Sequence, residues 1–248
     1  MLHRNNGRGW RRGRFGHERF LILICDVHRR HFILTAAAGA LVGLCAPTAM
    51  AQQAGKAQAA TTRPQVILVL GDSLSAEYGL ARGTGWVALL EKRLAQEKIA
   101  ATVVNASVSG ETTSGGRSRL AALLVQHRPN QVVIELGGND ALRGLPLKNT
   151  EENLSWMVQT AQKSGAKVLL VGMQVPPNYG TDYANRFAAT FSAVAKAHKA
   201  GVVPFFLKGV ADGPDPTRLF QPDRIHPRAE AHPQMLANVW PELQKLLR

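Results

Sequence analysis

Short apolar segments alternate along the chain with longer segments in which apolar residues recur every three or four positions. The short segments predict β-strands at residues 65–70, 101–106, 131–136, 167–173 and 202–206. The longer segments predict helices at residues 85–98, 118–127, 150–163, 182–200 and 229–247. Because strands and helices alternate, we expect an α/β fold: a single three-layer α/β/α domain around a five-stranded parallel sheet.

The first part of the chain follows a different pattern. Residues 32–46 form one uncharged apolar run after a basic stretch, and Ala49 and Ala51 then occupy the two small positions of a cleavage site. This order predicts a secretory signal peptide over residues 1–51, cut after Ala51, and a periplasmic or secreted protein. The run is shorter than the roughly 20 residues of a membrane span, which disfavours a retained anchor. Residues 52–64 predict a flexible linker, and residues 65–248 the folded domain.

The export route stays open at the level of sequence. Arg29 and Arg30 precede a large apolar pair, which resembles the twin-arginine pattern, but a general secretory signal also has a basic flank. Residues 1–26 are superfluous to either signal, so we expect an over-extended N-terminus and a start further in, for example at Val27. Cys45 follows Leu44 rather than a small residue, and this mismatch argues against a lipid anchor.

Removal of the signal peptide changes the charge of the chain. The whole sequence has a formal net charge of +13, whereas residues 52–248 hold 22 Lys and Arg against 15 Asp and Glu, which leaves +7. These charges are scattered, so the sequence does not favour binding to nucleic acid. Both cysteines, Cys25 and Cys45, lie in the signal peptide, so we expect no disulfide and no thiol nucleophile in the mature protein. We expect a monomer without a stable membrane span.

No cofactor or metal motif stands out. The segment "GTGWVA", residues 83–88, superficially resembles a dinucleotide fingerprint, but it does not directly follow a predicted strand. Walker and His-Glu-x-x-His motifs are absent from the sequence. We therefore expect neither a cofactor nor a metal, and small molecules as the only substrates.

Small polar clusters follow the predicted strands at the edge of the sheet where ligands of such folds bind. They are built around Ser73 after the first strand, Gly110 after the second and Asn139 after the third. Asp223 and His226 come just before the last helix. Because the carboxyl ends of parallel strands meet at one edge, these groups are expected to converge.

A serine, a histidine and an aspartate together can perform nucleophilic catalysis. A neutral imidazole takes the proton of a serine hydroxyl as the oxygen attacks, and a carboxylate holds the imidazole in the required tautomer. Asp223 and His226 are three residues apart, so one turn can bring them together. His127 and His198 lie in predicted helices, and His232 is a second candidate for the base.

The attack also produces a negatively charged oxygen that needs hydrogen-bond donors. The backbone N–H of Gly110 can approach closely because glycine has no side chain. Asn139 can offer a side-chain amide, and the backbone N–H of Ser73 is a third candidate. Gly137 and Gly138 allow the turn that would direct Asn139.

Four segments, "GDSLS", "NASVSGET", "ELGGND" and "DRIHP", resemble in order the four blocks of the SGNH or GDSL hydrolases. The resemblance spans residues 66–246 and implies a flavodoxin-like sandwich. It implies a catalytic triad of Ser73, Asp223 and His226, with Ser73, Gly110 and Asn139 as oxyanion donors. The longer runs around these blocks are similar to a proteobacterial periplasmic branch of esterases, thioesterases and lysophospholipases, often called arylesterases.

The resemblance therefore implies hydrolysis of carboxylic esters and thioesters of acyl groups through an acyl-enzyme. A carbohydrate-ester deacetylase would use the same residues, and a non-catalytic lipid- or carbohydrate-binding module is the other alternative. The apolar stretch at residues 171–180 lies at a strand end and favours an acyl pocket. Glu77 replaces a glycine found in a well-known member of the branch, which leaves loop mobility and chain-length preference open.

Overall fold

The computed structural model describes residues 64–248. The predicted signal peptide and residues 52–63 of the predicted linker lie outside the described residues. The strands are β1 (Gln65–Gly71), β2 (Ala101–Asn105), β3 (Gln131–Glu135), β4 (Lys167–Val171) and β5 (Gly201–Val203). The α-helices are α1 (Trp86–Gln96), α2 (Thr113–His127), α3 (Gly138–Leu142), α4 (Leu147–Lys163), α5 (Thr181–His198) and α6 (His232–Leu246).

The five strands form one parallel sheet in the order β2-β1-β3-β4-β5. The helices form two groups, since α1 packs against α6, whereas α4 packs against α2 and α5. This arrangement confirms the predicted α/β fold with its five-stranded parallel sheet. None of the described helices is long and apolar enough to cross a lipid bilayer.

The two central strands, β1 and β3, carry the middle of the core. In β1 the side chains of residues 67–70 have no exposed surface, and every residue of β3 is buried. Such continuous burial is expected of parallel strands that helices cover on both sides. Each buried Val, Leu or Ile side chain stabilises the fold by about 1.5–3 kcal/mol. The ends of these strands are therefore firmly placed, and the polar clusters emerge from them.

Several element boundaries differ from the sequence pattern: α4 begins at Leu147 rather than at residue 150, β4 ends at Val171 rather than at residue 173, and α6 begins at His232 rather than at residue 229. Two further differences have identifiable reasons. Helix α2 begins at Thr113 rather than at residue 118, because the Thr112 side chain accepts the N–H of Gly115 and caps the helix. The paired glycines in its first turns are weak helix formers and obscured this start. Gly116 is needed there, since a Cβ would lie 2.3 Å from the Leu136 side chain. Strand β5 ends at Val203 because the next residue, Pro204, has no N–H for the ladder.

Candidate active site

The structure brings Ser73, His226 and Asp223 together at the carboxyl edge of the sheet. Ser73 lies two residues beyond the end of β1, and its Oγ is 2.9 Å from His226 Nε2. The other ring nitrogen, Nδ1, is 2.6 Å from Asp223 Oδ2. The imidazole thus lies between the hydroxyl and the carboxylate, as expected from the three-residue spacing of Asp223 and His226.

The Asp223 carboxylate also holds together the turn that carries Asp223 and His226. Asp223 Oδ1 accepts the backbone N–H groups of Ile225, at 2.9 Å, and His226, at 3.0 Å. Arg224, between them, adopts a left-handed conformation with φ of 58°. Desolvation raises the pKa of Asp223, but the hydrogen bonds from His226 and Ile225 outweigh it and lower the pKa to about 2. An ionised Asp223 favours the tautomer with the proton on Nδ1, which leaves Nε2 to accept from Ser73.

The loop after Ser73 places an aromatic ring against the histidine. The centroids of the Tyr78 and His226 rings are 4.3 Å apart, and 51% of Tyr78 is exposed. The Tyr78 backbone oxygen accepts a hydrogen bond from Gln221 Nε2 at 3.0 Å, which ties this loop to the histidine turn. Glu77 has a left-handed φ of 59°, and its carboxylate accepts the N–H groups of Gly83 and Gly85. Glu77 therefore orders the loop in which the resemblance left mobility open.

Gly110 lies on a loop that runs beside the end of β1. Residues 72–76 form a turn around Ser73, which we call the serine turn. The N–H of Val108 donates to the backbone oxygen of Gly71 at 3.0 Å, and this bond aligns the loop with the serine turn. Gly110 has a φ of 78°, a conformation that glycine adopts without strain. Its backbone oxygen accepts a hydrogen bond from Arg143 Nη2 at 2.7 Å. This contact to the backbone oxygen leaves the Gly110 N–H as a separate donor.

Asn139 lies in the short helix α3, which follows a left-handed Gly137 with φ of 124°. Asn139 Nδ2 donates to Asp72 Oδ2 at 3.0 Å, so the amide is anchored to the residue that precedes Ser73. An amide nitrogen carries two hydrogens, and Asp72 takes one of them. The next residue, Asp140, is buried and accepts the N–H of Thr113 at 2.8 Å, which ties this turn to α2.

Two buried carboxyl groups lie beneath the serine turn. Glu135, the last residue of β3, is 2% exposed, and Asp72 is 3% exposed. Burial raises the pKa of Asp72 to about 6, against hydrogen bonds from Leu74 and Asn139 and the proximity of His226, which lower it. Burial and the neighbouring Asp72 raise the pKa of Glu135 well above its usual range. From the sequence, Glu135 was expected within the third strand and without a functional role.

The other histidine considered as a base has a different position. His232 is 2% exposed at the start of α6, and its Nδ1 accepts the backbone N–H of Trp86 at 3.0 Å. Burial lowers the pKa of His232, which is consistent with a neutral ring that accepts this bond. His232 therefore binds the first residue of α1, while His226 binds Ser73. Within residues 64–248, no cluster of three or more His, Cys, Asp or Glu side chains could hold a metal ion.

Exposed apolar side chains are concentrated around the candidate site. Six large apolar residues of the described chain are clearly exposed. Four of them belong to the loops and the short helix that carry the candidate site, and a fifth lies in the loop after β4. We call these five the apolar rim: Tyr78, Val108, Leu142, Tyr179 and Ile225. The sixth, Val125, is 76% exposed near the end of α2 and outside these segments. The segments of the candidate site thus carry exposed apolar residues as well as its polar groups.

The chain matches a known family model, described as "GDSL-like Lipase/Acylhydrolase family", over residues 69–233. It is 52% identical to "Esterase TesA" of Pseudomonas aeruginosa over 74% of this chain and 90% of that protein. It is 40% identical to "Thioesterase 1/protease 1/lysophospholipase L1" of Escherichia coli K12 over 73% of this chain and 84% of that protein.

Solved structures agree with this match. A psychrotrophic esterase, EstA from Pseudoalteromonas sp., inhibited by monoethylphosphonate, superposes with a TM-score of 0.69 at 39% sequence identity. The superposition covers 74% of this chain and 98% of that one. The similarity therefore extends over almost the whole of the related domain.

Proposed function

The chain belongs to the GDSL-like lipase/acylhydrolase family, and we propose that it hydrolyses carboxylic esters and thioesters through an acyl-enzyme on Ser73. The observation that carries this proposal is the continuous contact from Ser73 Oγ to His226 Nε2 and from His226 Nδ1 to Asp223 Oδ2. That order of groups activates a hydroxyl without a metal or a cofactor. The names of the relatives support the same class of reaction.

The proposed reaction has two halves. Ser73 Oγ attacks the carbonyl carbon, and His226 takes the hydroxyl proton and passes it to the departing alkoxide or thiolate. Asp223 stabilises the imidazolium formed in this step. A water molecule then attacks the acyl-enzyme with His226 as base, and the acid is released with Ser73 restored. In both halves the carbonyl oxygen becomes negative, and the N–H groups of Ser73, Gly110 and the Asn139 amide are its proposed donors.

The apolar rim supports acyl groups as the substrate class. An exposed apolar surface beside a nucleophile favours the alkyl chain of a fatty acyl ester over a hydrated sugar. Leu142 follows Asn139 by three residues, and Ile225 directly precedes His226, so both exposed apolar residues belong to the segments that carry the reacting groups. The name of the Escherichia coli relative includes thioesterase and lysophospholipase activities. We therefore propose acyl esters, acyl thioesters and lysophospholipids as substrates.

A turnover panel tests this substrate class. It comprises p-nitrophenyl esters of increasing chain length, an acyl-CoA, a lysophospholipid and acetylated xylan. We expect kcat/KM to be higher for the acyl substrates than for xylan, and to fall for long chains in a Leu142→Ser, Ile225→Ser double variant. Val125→Ser is the matched control, because Val125 is more exposed but lies away from the rim. A preference for acetylated xylan, or an equal loss in the control, contradicts the proposal.

We also propose that residues 1–51 direct export and are removed after Ala51, which would place the mature enzyme in the periplasm or outside the cell. The basic flank, the apolar run and the Ala49-Met50-Ala51 site support this. Sequencing the N-terminus of the exported protein tests it, and Gln52 is the expected first residue. A slower export of the Arg29→Lys, Arg30→Lys variant would identify the twin-arginine route, and a normal rate the general secretory route.

A further inference from the structure

Glu135 is a buried ionisable residue that the proposed reaction does not use. It ends β3, one of the two central strands, and is 2% exposed. The neighbouring positions of the two central strands, residues 67–70 in β1 and 132–134 in β3, are all aliphatic. A carboxyl group in such a place costs free energy unless hydrogen bonds compensate for its lost hydration. Its retention therefore requires an explanation from its contacts.

Glu135 supports the serine turn from below. Its Oε2 accepts the Ser75 hydroxyl at 2.7 Å and the Asp72 backbone N–H at 3.4 Å. The Ser75 oxygen in turn accepts Trp86 Nε1 at 3.1 Å. Gly71 makes room for this contact, since a Cβ there would lie 2.8 Å from Glu135 Oε2. The glycine of the "GDSLS" block thus leaves space for the Glu135 carboxyl group to contact Asp72 and Ser75 in the serine turn.

Asp72 continues this chain of contacts to the proposed oxyanion donor. Asp72 Oδ1 accepts the Leu74 N–H, and Oδ2 accepts Asn139 Nδ2, both at 3.0 Å. Both oxygens can accept at once when Asp72 is ionised, whereas a protonated oxygen would face a donor. Two adjacent buried carboxyl groups do not both ionise readily, because their charges repel each other in a poorly hydrated environment. The pair therefore carries one negative charge. Both donors to Glu135 reach a single oxygen, Oε2, so Oε1 can hold a proton, whereas each oxygen of Asp72 accepts a donor of its own. This difference places the charge on Asp72.

We propose that Glu135 is a positioning residue of the reaction: it stays neutral beneath the serine turn, leaves the charge to Asp72, and so keeps the Asn139 amide oriented toward the oxyanion. This rests on the proposed function, since Asn139 acts only if a tetrahedral intermediate forms. The other groups near Asp72 are His226 and Asn139 itself. His226, when protonated, would strengthen the charge on Asp72 rather than transfer it to Glu135.

The test compares two substitutions of Glu135 in the mature enzyme. Glutamine is the neutral mimic, with one oxygen to accept from Ser75 and Asp72, so Glu135→Gln should keep kcat within about threefold. Leucine has a similar shape and no polar atom, so Glu135→Leu should lower kcat by tenfold or more with little change in KM. The loss should not exceed the roughly 10²–10³-fold typical of removing an oxyanion donor. Equal losses in both variants would show that Glu135 acts as an anion, which overturns the proposal.

A double-mutant cycle with Asn139 separates positioning from a purely structural role. If Glu135 acts through Asn139, the Glu135→Leu, Asn139→Ala enzyme should be no slower than Asn139→Ala alone. Multiplied losses would mean that Glu135 affects catalysis by another path, and the proposal would be wrong. If Glu135→Leu does not fold, Ser75→Ala takes its place in the cycle, because it removes one of the two donors to Glu135. The same non-additivity is expected of it.

The activity of the wild type distinguishes a failure of this proposal from a failure of the function on which it rests. A wild-type enzyme that turns over no ester overturns both. An active wild type, in which the losses caused by the Glu135 and Asn139 substitutions multiply, overturns only the role of Glu135.

The pH dependence of stability provides an independent measurement of the neutral state of Glu135. An acid whose pKa is raised by folding makes the protein less stable as pH rises above the unfolded-state pKa. Between about pH 5 and pH 8, the urea midpoint of the wild type should therefore fall more steeply with rising pH than the urea midpoint of Glu135→Gln.

Discussion

The ring of Tyr78 lies against the ring of His226, with centroids 4.3 Å apart and planes inclined by 38°. Tyr78 covers one face of the imidazole, and because Tyr78 is half-exposed, its other face meets solvent. Aromatic pairs of this kind contribute about 0.5–1.5 kcal/mol beyond the area they bury. We expect Tyr78→Leu to lower kcat about two- to tenfold, and Tyr78→Phe to retain it. A Tyr78→Phe enzyme as slow as Tyr78→Leu would show that the hydroxyl, rather than the ring contact, matters.

Asn139 is expected to act on the tetrahedral intermediate rather than on substrate binding. Its amide is anchored by Asp72, so its orientation is set before substrate arrives. We predict that Asn139→Ala loses about 10²–10³ in kcat, roughly 3–4 kcal/mol, while KM stays within a few-fold. Steady-state kinetics on a soluble p-nitrophenyl ester measure both constants. A raised KM with kcat intact would assign Asn139 to ground-state binding instead.

The raised pKa of Asp72, about 6, gives activity a dependence on pH that passes through Asn139. As pH falls through 6, Asp72 takes up a proton and can no longer accept from both Leu74 and Asn139. Activity should therefore fall more steeply on the acid side in the wild type than in Asn139→Ala, where that contact is already lost. The comparison uses kcat profiles of the two enzymes from pH 4 to 8 on one ester (about two units either side of the pKa). Superimposable acid limbs would contradict this role of Asp72. Chelators should alter neither profile.

His226 and His232 are expected to separate function from stability. His232→Asn should leave kcat close to that of the wild type, because His232 binds the N-terminus of α1 and not Ser73. His226→Asn should lose almost all activity. Because folding lowers the pKa of His232, the unfolded chain takes up a proton more readily, and wild-type stability should fall as pH drops below the ordinary histidine range. Urea unfolding of His232→Asn should show a weaker fall. A catalytic defect in folded His232→Asn would reopen its assignment as base.

The sequence predicted the α/β fold because the fold depends on strong local patterns, and the same patterns led to the residues of the candidate site, whose roles stay predictions. The five apolar runs marked the strands, and the polar clusters that follow them had to converge in a parallel sheet. Thr112 and the glycines after it concealed the start of α2, since a polar, glycine-rich segment is also typical of a loop. Helix α3 was expected as a turn, because one short turn of helix carries no periodicity.

The interactions around the triad could not be predicted from the same patterns. The contact of Tyr78 with His226 joins residues 148 positions apart, and no local signal reports it. Glu135 was visible as an acidic residue within an apolar strand, and this irregularity was the available signal. Its meaning depends on Gly71, Ser75 and Asp72, which become neighbours only when β1 and β3 pair. His232 was indistinguishable from a base until its hydrogen bond to Trp86 was known.

Covalent labelling of Ser73 tests the proposed chemistry most directly. A fluorophosphonate forms a bond to a serine oxygen that an adjacent imidazole has activated, and intact-mass analysis with peptide mapping counts and locates the adducts. We predict one adduct on the mature protein, at Ser73, with none on folded Ser73→Ala and slower labelling of His226→Asn. Circular dichroism confirms that each variant is folded. Labelling that persists in folded Ser73→Ala, or a wild type that remains unlabelled while it hydrolyses esters, would contradict the account.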